Sequence, residues 1–166
     1  MIIGIGGISN AGKSSLANLL KLHLEAKYKV KVLCQDDFII AQEEIPLING
    51  LTDWESPESI NHQMYLQAVQ RESQNNDIII SEGLFAYHDE QLSKLYDKKI
   101  FLYVDMVVFK NRKNSDHRWG KLPDWYIQHI WEAYEKFGKA VNVEGIKKIN
   151  AENLFDLKDI LAYLEC

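Results

Sequence analysis

The chain has 166 residues, of which 46% are hydrophobic and 26% are charged, and this composition suits one soluble globular domain. Nineteen lysines and arginines against 24 aspartates and glutamates give a net charge of −5, which argues against nucleic acid as the main partner. The apolar runs are strand-sized, no signal peptide is recognised, and the two cysteines form neither a metal motif nor a disulfide framework. These features predict a reduced, cytoplasmic protein that binds no membrane; its oligomeric state stays open.

Short apolar runs alternate with helical patterns along the chain. The predicted strands cover 2–6, 30–34, 77–81, 99–104 and, weakly, 145–149; the predicted helices cover 14–27, 59–73, 125–141 and 154–164. Asn150 or Asn153 is the expected cap of the last helix. Strands that alternate with helices and read as continuous apolar runs predict a parallel sheet covered on both faces. We therefore expect a single α/β domain over 1–166, a three-layer sandwich with a five-stranded parallel sheet. Two loops, 39–58 and 114–124, are candidates for substrate handling.

The strongest motif directly follows the first strand and directly precedes an amphipathic helix. Its sequence, Gly-Ile-Ser-Asn-Ala-Gly-Lys-Ser over 7–14, matches G-x-x-x-x-G-K-[ST]. Such a loop points backbone N–H groups at phosphates, and the helix N-terminus adds its positive dipole. We expect Lys13 to bridge the β- and γ-phosphates and Ser14 to ligate Mg²⁺. The residues predicted to hold the nucleotide are Gly7, Ser9, Asn10, Ala11, Gly12, Lys13, Ser14 and Ser15.

Carboxylates follow two predicted strands at the sheet edge where ligands bind in open parallel sheets. The second strand leads into Gln-Asp-Asp-Phe over 35–38, and the third leads into Ser-Glu-Gly over 81–83. A phosphotransferase needs one carboxylate beside the metal and one that accepts or orients the proton of the acceptor hydroxyl. We assign Asp36 as the base and Glu82 as the metal-side carboxylate. Solvated strand-end acids or helix caps are the alternative interpretation.

Basic residues cluster after the fourth strand, at Lys110, Arg112, Lys113 and Arg118. They predict a mobile lid over about 110–124 that brings cations to the transferring phosphoryl group and excludes water. Arg112 and Arg118 are the preferred residues because a guanidinium fork meets two phosphate oxygens at once. With Lys13 and Asp36 they make up the predicted catalytic set. A GTPase switch is disfavoured because neither D-x-x-G nor N-K-x-D stands at a strand end.

Several of these runs together resemble the nucleoside kinases of the uridine kinase and nicotinamide riboside kinase group. The matching runs are 7–15, 35–38, 53–60, 81–83 and 110–134. The short length is closer to nicotinamide riboside kinase. The resemblance implies a P-loop kinase fold with a small lid, Mg²⁺, and ATP as phosphoryl donor, with GTP left open. It also implies a nucleoside acceptor phosphorylated at the ribose 5′-hydroxyl; nicotinamide riboside is the leading choice, in NAD biosynthesis.

The resemblance further implies roles in acceptor binding. Asp36 would act on the 5′-hydroxyl and Glu55 would receive ribose hydroxyls, although relatives often carry Asp at that position. Trp54 lies where the family places an aromatic ring beside the base, and Trp119 is the expected second face. Two electron-rich rings suit a cationic pyridinium and also accept a neutral pyrimidine. A uridine, cytidine or other small-metabolite kinase is the alternative enzyme, and a nucleotide-dependent regulatory module is the alternative without catalysis.

Overall fold

The structure is a computed structural model and describes residues 1–118, 120–140 and 143–165. In chain order its strands and helices are β1 (Ile2–Gly7), α1 (Lys13–Leu24), β2 (Val30–Cys34), β3 (Leu47–Ile48), β4 (Leu51–Thr52), α2 (His62–Ser73), β5 (Ile78–Gly83), α3 (Glu90–Leu95), β6 (Lys98–Tyr103), α4 (Met106–Asn114), α5 (Asp124–Ala133), β7 (Ile146–Asn150) and α6 (Leu157–Leu164). Five strands form a parallel sheet in the order β2-β5-β1-β6-β7. The predicted α/β fold with a five-stranded parallel sheet is confirmed.

The central strand β1 shows how the sequence divides the two layers of helices. Ile3 and Ile5 are fully buried in the same cluster as Leu16 and Leu20 of α1, since alternate residues of a strand point to one face. The α6 helix adds Ile160 and Leu164 to that cluster, whereas α2 and α3 pack on the opposite face. The sheet is therefore covered on both sides.

Glycines occupy the other face of β1 because aromatic rings lie against it. A Cβ atom at Gly4 would stand 2.3 Å from the ring of Tyr96, and one at Gly6 would stand 2.6 Å from the ring of Tyr87. Contacts this short cannot exist between real atoms, so each ring fills the volume that a side chain would otherwise take. The two glycines thus allow tyrosines to pack directly beneath the strand that leads into the phosphate loop.

Tyr87 and Tyr96, together with Tyr65 of α2, form hydrogen bonds inside the protein. The Tyr65 hydroxyl lies 2.7 Å from Ser81 Oγ, which in turn lies 2.9 Å from the Tyr96 hydroxyl. The Tyr87 hydroxyl lies 2.9 Å from the Gly4 carbonyl oxygen. Burial raises the pKa of Tyr65 and of Tyr96, so both phenols stay neutral. A satisfied polar network of this kind fixes β5 against α2 and α3.

Several sequence-based boundaries differ from the structure. The α5 helix ends at Ala133 and continues only as a π-helical segment, Tyr134–Gly138, so the helix predicted to 141 is too long. The last helix is capped by Asp156, which accepts a hydrogen bond from the Asp159 N–H; the prediction of Asn150 or Asn153 as cap was wrong. None of the helices in the described ranges is long and apolar enough to cross a membrane.

The predicted loop over 39–58 contains structure of its own. Strands β3 and β4 pair in an antiparallel hairpin, joined by Asn49 and Gly50 with φ angles of 48° and 81°. Both angles are positive, which matches the type I′ turn that Asn-Gly favours in two-residue hairpins. The hairpin leads directly into the segment that carries Trp54 and Glu55.

Candidate active site

The phosphate loop between β1 and α1 is shaped by its backbone. Gly7 has a φ of 144°, and a Cβ atom there would lie 2.3 Å from the Leu102 carbonyl oxygen on the neighbouring strand. Gly12, with a φ of 92°, is the residue before α1. Asn10 is the non-glycine residue of the loop with a positive φ, 60°. No side chain in the described part of the chain caps α1, so the first N–H groups of that helix face the loop.

The remaining residues predicted to hold the nucleotide lie in this loop or in the first turn of α1. The Ser9 hydroxyl lies 3.1 Å from Asn10 Oδ1, and the Ala11 N–H donates to the Ile8 carbonyl at 3.1 Å. Ser15 is exposed in the first turn of α1. Lys13 donates to the Ile8 carbonyl oxygen at 3.1 Å, so its ammonium group folds back over the loop.

Ser14 and Glu82 meet at the end of the loop. The Ser14 hydroxyl donates to Glu82 Oε1 at 2.7 Å, and the glutamate is only 2% exposed. Glu82 lies in β5, in register with Cys34 of β2 and Ile5 of β1, where three carboxyl strand ends meet. Hydroxyl and carboxylate oxygens are the ligands that hard divalent cations prefer. Among the described residues no group of three His, Cys, Asp or Glu side chains forms a metal site, so phosphate or water oxygens would complete the coordination.

Asp36 follows β2 in a short 3₁₀ turn, Gln35–Phe38. The buried Gln35 holds this turn in place, because its Oε1 accepts the Phe85 N–H at 2.9 Å just beyond β5. Asp36 is an exposed residue in this turn. Partial desolvation raises its pKa, Lys13 lowers it, and the negative charge of Glu82 raises it. The predicted base, the phosphate-loop lysine and the metal-side carboxylate therefore stand at one edge of the sheet.

Glu55 is a second carboxyl group on which the charge of Lys13 acts. It is 8% exposed, and burial raises its pKa to about 7, against the opposing effect of two cations, Lys113 and Lys13. This carboxyl group loses and gains its proton near neutral pH. Lys13 is thus the cation that both Asp36 and Glu55 face.

Trp54, which precedes Glu55 in the chain, and a second tryptophan are exposed. Trp54 is 40% exposed and Trp125, at the start of α5, is 38% exposed. The Trp125 ring centroid lies 5.4 Å from the ring centroid of Tyr126. The Tyr126 hydroxyl accepts a hydrogen bond from the backbone N–H of Trp54 at 3.3 Å. Trp119, predicted as the second ring, lies outside the described residues. From the sequence alone, Trp125 could either line the acceptor pocket or pack against the sheet, with packing favoured. Its exposure in the structure distinguishes it from its buried neighbours Tyr126 and Ile127.

Asp53 and His129 form a pair that sequence reasoning also missed. The His129 Nε2 atom lies 2.7 Å from Asp53 Oδ1, and that oxygen also accepts the Glu55 N–H at 3.2 Å. The pair joins α5 to the chain beside Glu55. No sequence signal marks it, because the two residues are 76 positions apart.

The predicted lid cations have different partners. Arg112 donates to the carbonyl oxygens of Asn10 at 3.3 Å, Ala151 at 2.7 Å and Glu152 at 3.0 Å. Through these three hydrogen bonds the guanidinium group links the backbone of the phosphate loop to the backbone just after β7. The prediction that Arg112 contacts the phosphoryl group remains untested, and this geometry favours a positioning role.

Arg118 and Lys113 are placed differently from Arg112. The Arg118 side chain is 72% exposed and pairs with Asp116 at 2.6 Å. Hydrogen bonds from Arg118 and from Asn10 of the phosphate loop hold the pKa of Asp116 well below its ordinary value. Lys113 Nζ lies 3.5 Å from Ser9 Oγ, and its positive charge lowers the pKa of Glu55, so this cation acts on both the phosphate loop and Glu55.

Comparison with known proteins agrees with this geometry. The chain is 27% identical to mouse (Mus musculus) nicotinamide riboside kinase 2, over 93% of this chain and 88% of that protein. It is 28% identical to the uridine kinase of Schizosaccharomyces pombe, over 82% of this chain and 36% of that protein. No family model matches.

The fold is shared more widely. The crystal structure of shikimate kinase from Aquifex aeolicus superimposes with a TM-score of 0.57 at 20% identity, over 99% of this chain and 96% of that one. An identity this low supports the P-loop kinase fold and nothing about the acceptor. Over most of its length, the chain resembles the P-loop nucleoside kinases of the nicotinamide riboside kinase and uridine kinase group.

Proposed function

We propose that this chain is an ATP-dependent nucleoside kinase whose acceptor is nicotinamide riboside, phosphorylated at the ribose 5′-hydroxyl. One observation carries the proposal. The charge of Lys13, in the phosphate motif, acts on two carboxyl groups that lie outside that loop in the chain, Asp36 and Glu55. A nucleotide-binding switch has no use for such groups, whereas a kinase needs them to hold an alcohol next to the γ-phosphate. The product would be a mononucleotide for NAD biosynthesis.

On the donor side, the loop over 7–15 would bind the phosphates of ATP through its N–H groups and through Lys13. Ser14 and Glu82 would hold Mg²⁺, which neutralises charge on the β- and γ-phosphates when it is bound. The backbone of this loop reads no base, so GTP remains an alternative donor.

On the acceptor side, Asp36 would accept the proton of the 5′-hydroxyl as that oxygen attacks the γ-phosphorus. Partial burial of Asp36 raises its pKa, which brings a carboxylate closer to the range useful for a general base. Glu55 would accept hydrogen bonds from the ribose 2′- and 3′-hydroxyls. Ionised above a pKa of about 7, it is a strong hydrogen-bond acceptor.

The lid would complete the site after both substrates have bound. We propose that Lys113 and Arg118 supply positive charge to the transferred group, whereas Arg112 holds the phosphate loop. Lys113 is favoured because it already lies between Ser9 and Glu55. Arg118 would exchange Asp116 for phosphate oxygens, which is feasible because the arginine is largely exposed.

The exposed tryptophans favour a cationic base. We propose that Trp54 and Trp125 flank the base, with Asp53 and Glu55 nearby, so rings and carboxylates surround it. Both features attract a pyridinium through cation–π and charge interactions. A pyrimidine nucleoside is the second candidate, supported by the similarity to uridine kinase. The cytoplasmic location remains a prediction.

The test is ADP release with ATP and Mg²⁺, measured with nicotinamide riboside, uridine, cytidine and no acceptor. We expect the largest kcat/KM with nicotinamide riboside and background turnover without acceptor. A pyrimidine preference would move the acceptor assignment to the second candidate and leave Asp36 and Glu82 in place. Background turnover with every acceptor would overturn the nucleoside kinase proposal.

A further inference from the structure

Two side chains of α5, almost one helical turn apart, bind the segment that carries the proposed acceptor residues. The Tyr126 hydroxyl donates to the Thr52 carbonyl oxygen at 2.9 Å and accepts the Trp54 N–H at 3.3 Å. His129 makes the second contact, to Asp53 at 2.7 Å. Positions i and i+3 lie on one face of a helix, so α5 presents both groups to the same short stretch of chain.

The His129 contact extends to Glu55 through a shared atom. Asp53 Oδ1 receives both the imidazole and the Glu55 N–H, at 2.7 and 3.2 Å. The side chains of His129 and Asp53 are only 18% and 16% exposed, so water is a poor substitute for either partner. Removing the imidazole would take one donor from a largely buried carboxylate, and the same carboxylate holds the Glu55 backbone N–H.

The position of α5 in the chain gives this contact a second consequence. The helix begins at Asp124, where the proposed lid over about 110–124 ends. Lys113, near the start of that lid, acts electrostatically on Glu55 and lowers its pKa. The segment over 52–55 therefore contacts the helix that follows the proposed lid and carries a carboxyl group that a lid cation influences.

We propose that Asp53 and His129 are positioning residues that hold Trp54 and Glu55 in place for the acceptor and tie that segment to the lid. The proposal rests on the proposed function, because it takes Trp54 and Glu55 as acceptor-binding residues. Neither Asp53 nor His129 contacts the reacting atoms. Their loss therefore acts on acceptor binding and leaves the phosphate loop unaffected.

The test compares variants at the pair with a matched control on the same helix. The variants are His129→Ala, Asp53→Ala, the double variant and His129→Gln, whose amide can still donate to Asp53. The control is Gln128→Ala, which removes only an exposed hydrogen bond to Glu132. For each protein, kcat and the two KM values are measured with nicotinamide riboside and ATP.

For His129→Ala we expect the acceptor KM to rise about 10- to 100-fold, with kcat and the ATP KM changed less than about threefold. His129→Gln should recover much of the loss. The double variant should be no worse than Asp53→Ala, because Asp53→Ala already removes the contact to His129 together with the contact to the Glu55 N–H. Gln128→Ala should match the wild type. An unchanged acceptor KM, or an equal loss in both KM values and kcat, would overturn the proposal.

Amide hydrogen exchange over 52–56 separates this proposal from the proposed function, since it needs no acceptor. In His129→Ala we expect these amides to exchange at least about tenfold faster, because local opening of the segment becomes easier. In Gln128→Ala we expect the exchange rates to equal those of the wild type. Unchanged exchange would defeat the positioning proposal whichever acceptor the enzyme uses. If the wild type shows no acceptor-dependent turnover but His129→Ala still shows the faster exchange, the nucleoside assignment alone would be overturned.

Discussion

The proposed donor and acceptor halves of the site are built in different ways. The donor half is one continuous loop over 7–15, completed by a single residue from a neighbouring strand, Glu82. The acceptor half collects Asp36, the segment over 53–55 and residues of α4 and α5, which lie far apart in the chain. The first half is fixed by local backbone geometry, and the second depends on contacts between distant elements. Substitutions should therefore affect the halves differently, and five variants test this contrast.

The largest effect should come from Asp36→Asn. Without the carboxylate, the 5′-hydroxyl loses its proton acceptor, so kcat should fall about 10²- to 10⁴-fold while ATP binding stays within about threefold. Single-turnover kinetics and ATP titration measure the two quantities. The matched control is Asp37→Asn, an adjacent exposed carboxylate that should leave kcat nearly unchanged. Equal turnover in Asp36→Asn and the wild type would remove Asp36 from the mechanism.

Lys113→Met should have the next largest effect and would show whether the two halves share a cation. Because Lys113 lies between Ser9 and Glu55, we expect kcat to fall about 10²-fold from lost stabilisation of the transferred group. Lys110→Met, one turn earlier on α4, serves as control.

Arg112→Met tests whether a second cation of α4 has a different role from Lys113. It should raise the ATP KM and lower the free energy of unfolding, because three carbonyl oxygens lose their donor. A large loss of kcat in Arg112→Met, without a change in ATP KM, would return the phosphoryl contact to Arg112.

Glu55→Gln should separate stability from function. The folded-state pKa of about 7 lies above the ordinary value of 4.5, so the folded protein keeps a proton that the unfolded chain releases between these pH values. Stability should therefore fall as pH rises from about 4.5 to 7, by up to about 3 kcal/mol. Glu55→Gln should remove that decline and be more stable than wild type at pH 8, yet bind the acceptor more weakly.

Urea unfolding at pH 4.5, 6 and 8 measures this difference. Glu58→Gln, an exposed glutamate on the same segment, is the control and should follow the wild type at each pH. Parallel curves for Glu55→Gln and the wild type across this range would show that Glu55 does not carry the pH dependence.

Arg118→Ala should have the smallest effect. Its pair with Asp116 is largely exposed on the arginine side, so the free energy of unfolding should change by less than about 1 kcal/mol. If the arginine moves onto the phosphoryl group in the closed lid, kcat should fall about tenfold. Lys121→Ala in the same proposed lid provides the control. A kcat equal to that of wild type would leave Lys113 as the lid cation.

The same contrast explains what the sequence could predict. Apolar runs and the phosphate loop are local patterns, so the sheet, its strand positions to within about two residues, and the context of Lys13 and Ser14 could be anticipated. The end of α5 and the cap at Asp156 could not, since helix ends depend on tertiary contacts. The Asp53–His129 pair and the exposure of Trp125 arise from α5 packing against the hairpin segment, which no local pattern encodes.

The close packing of Gly4 against Tyr96, and of Gly6 against Tyr87, matters for anyone who wishes to evolve this enzyme. In each case two positions share the volume of one side chain, so a larger residue on the strand requires a smaller one in place of the ring. A mutant library that varies Gly4 or Gly6 alone should yield almost no folded protein. Libraries that vary each glycine together with its tyrosine should contain combinations of side chains that still pack against the sheet and fold.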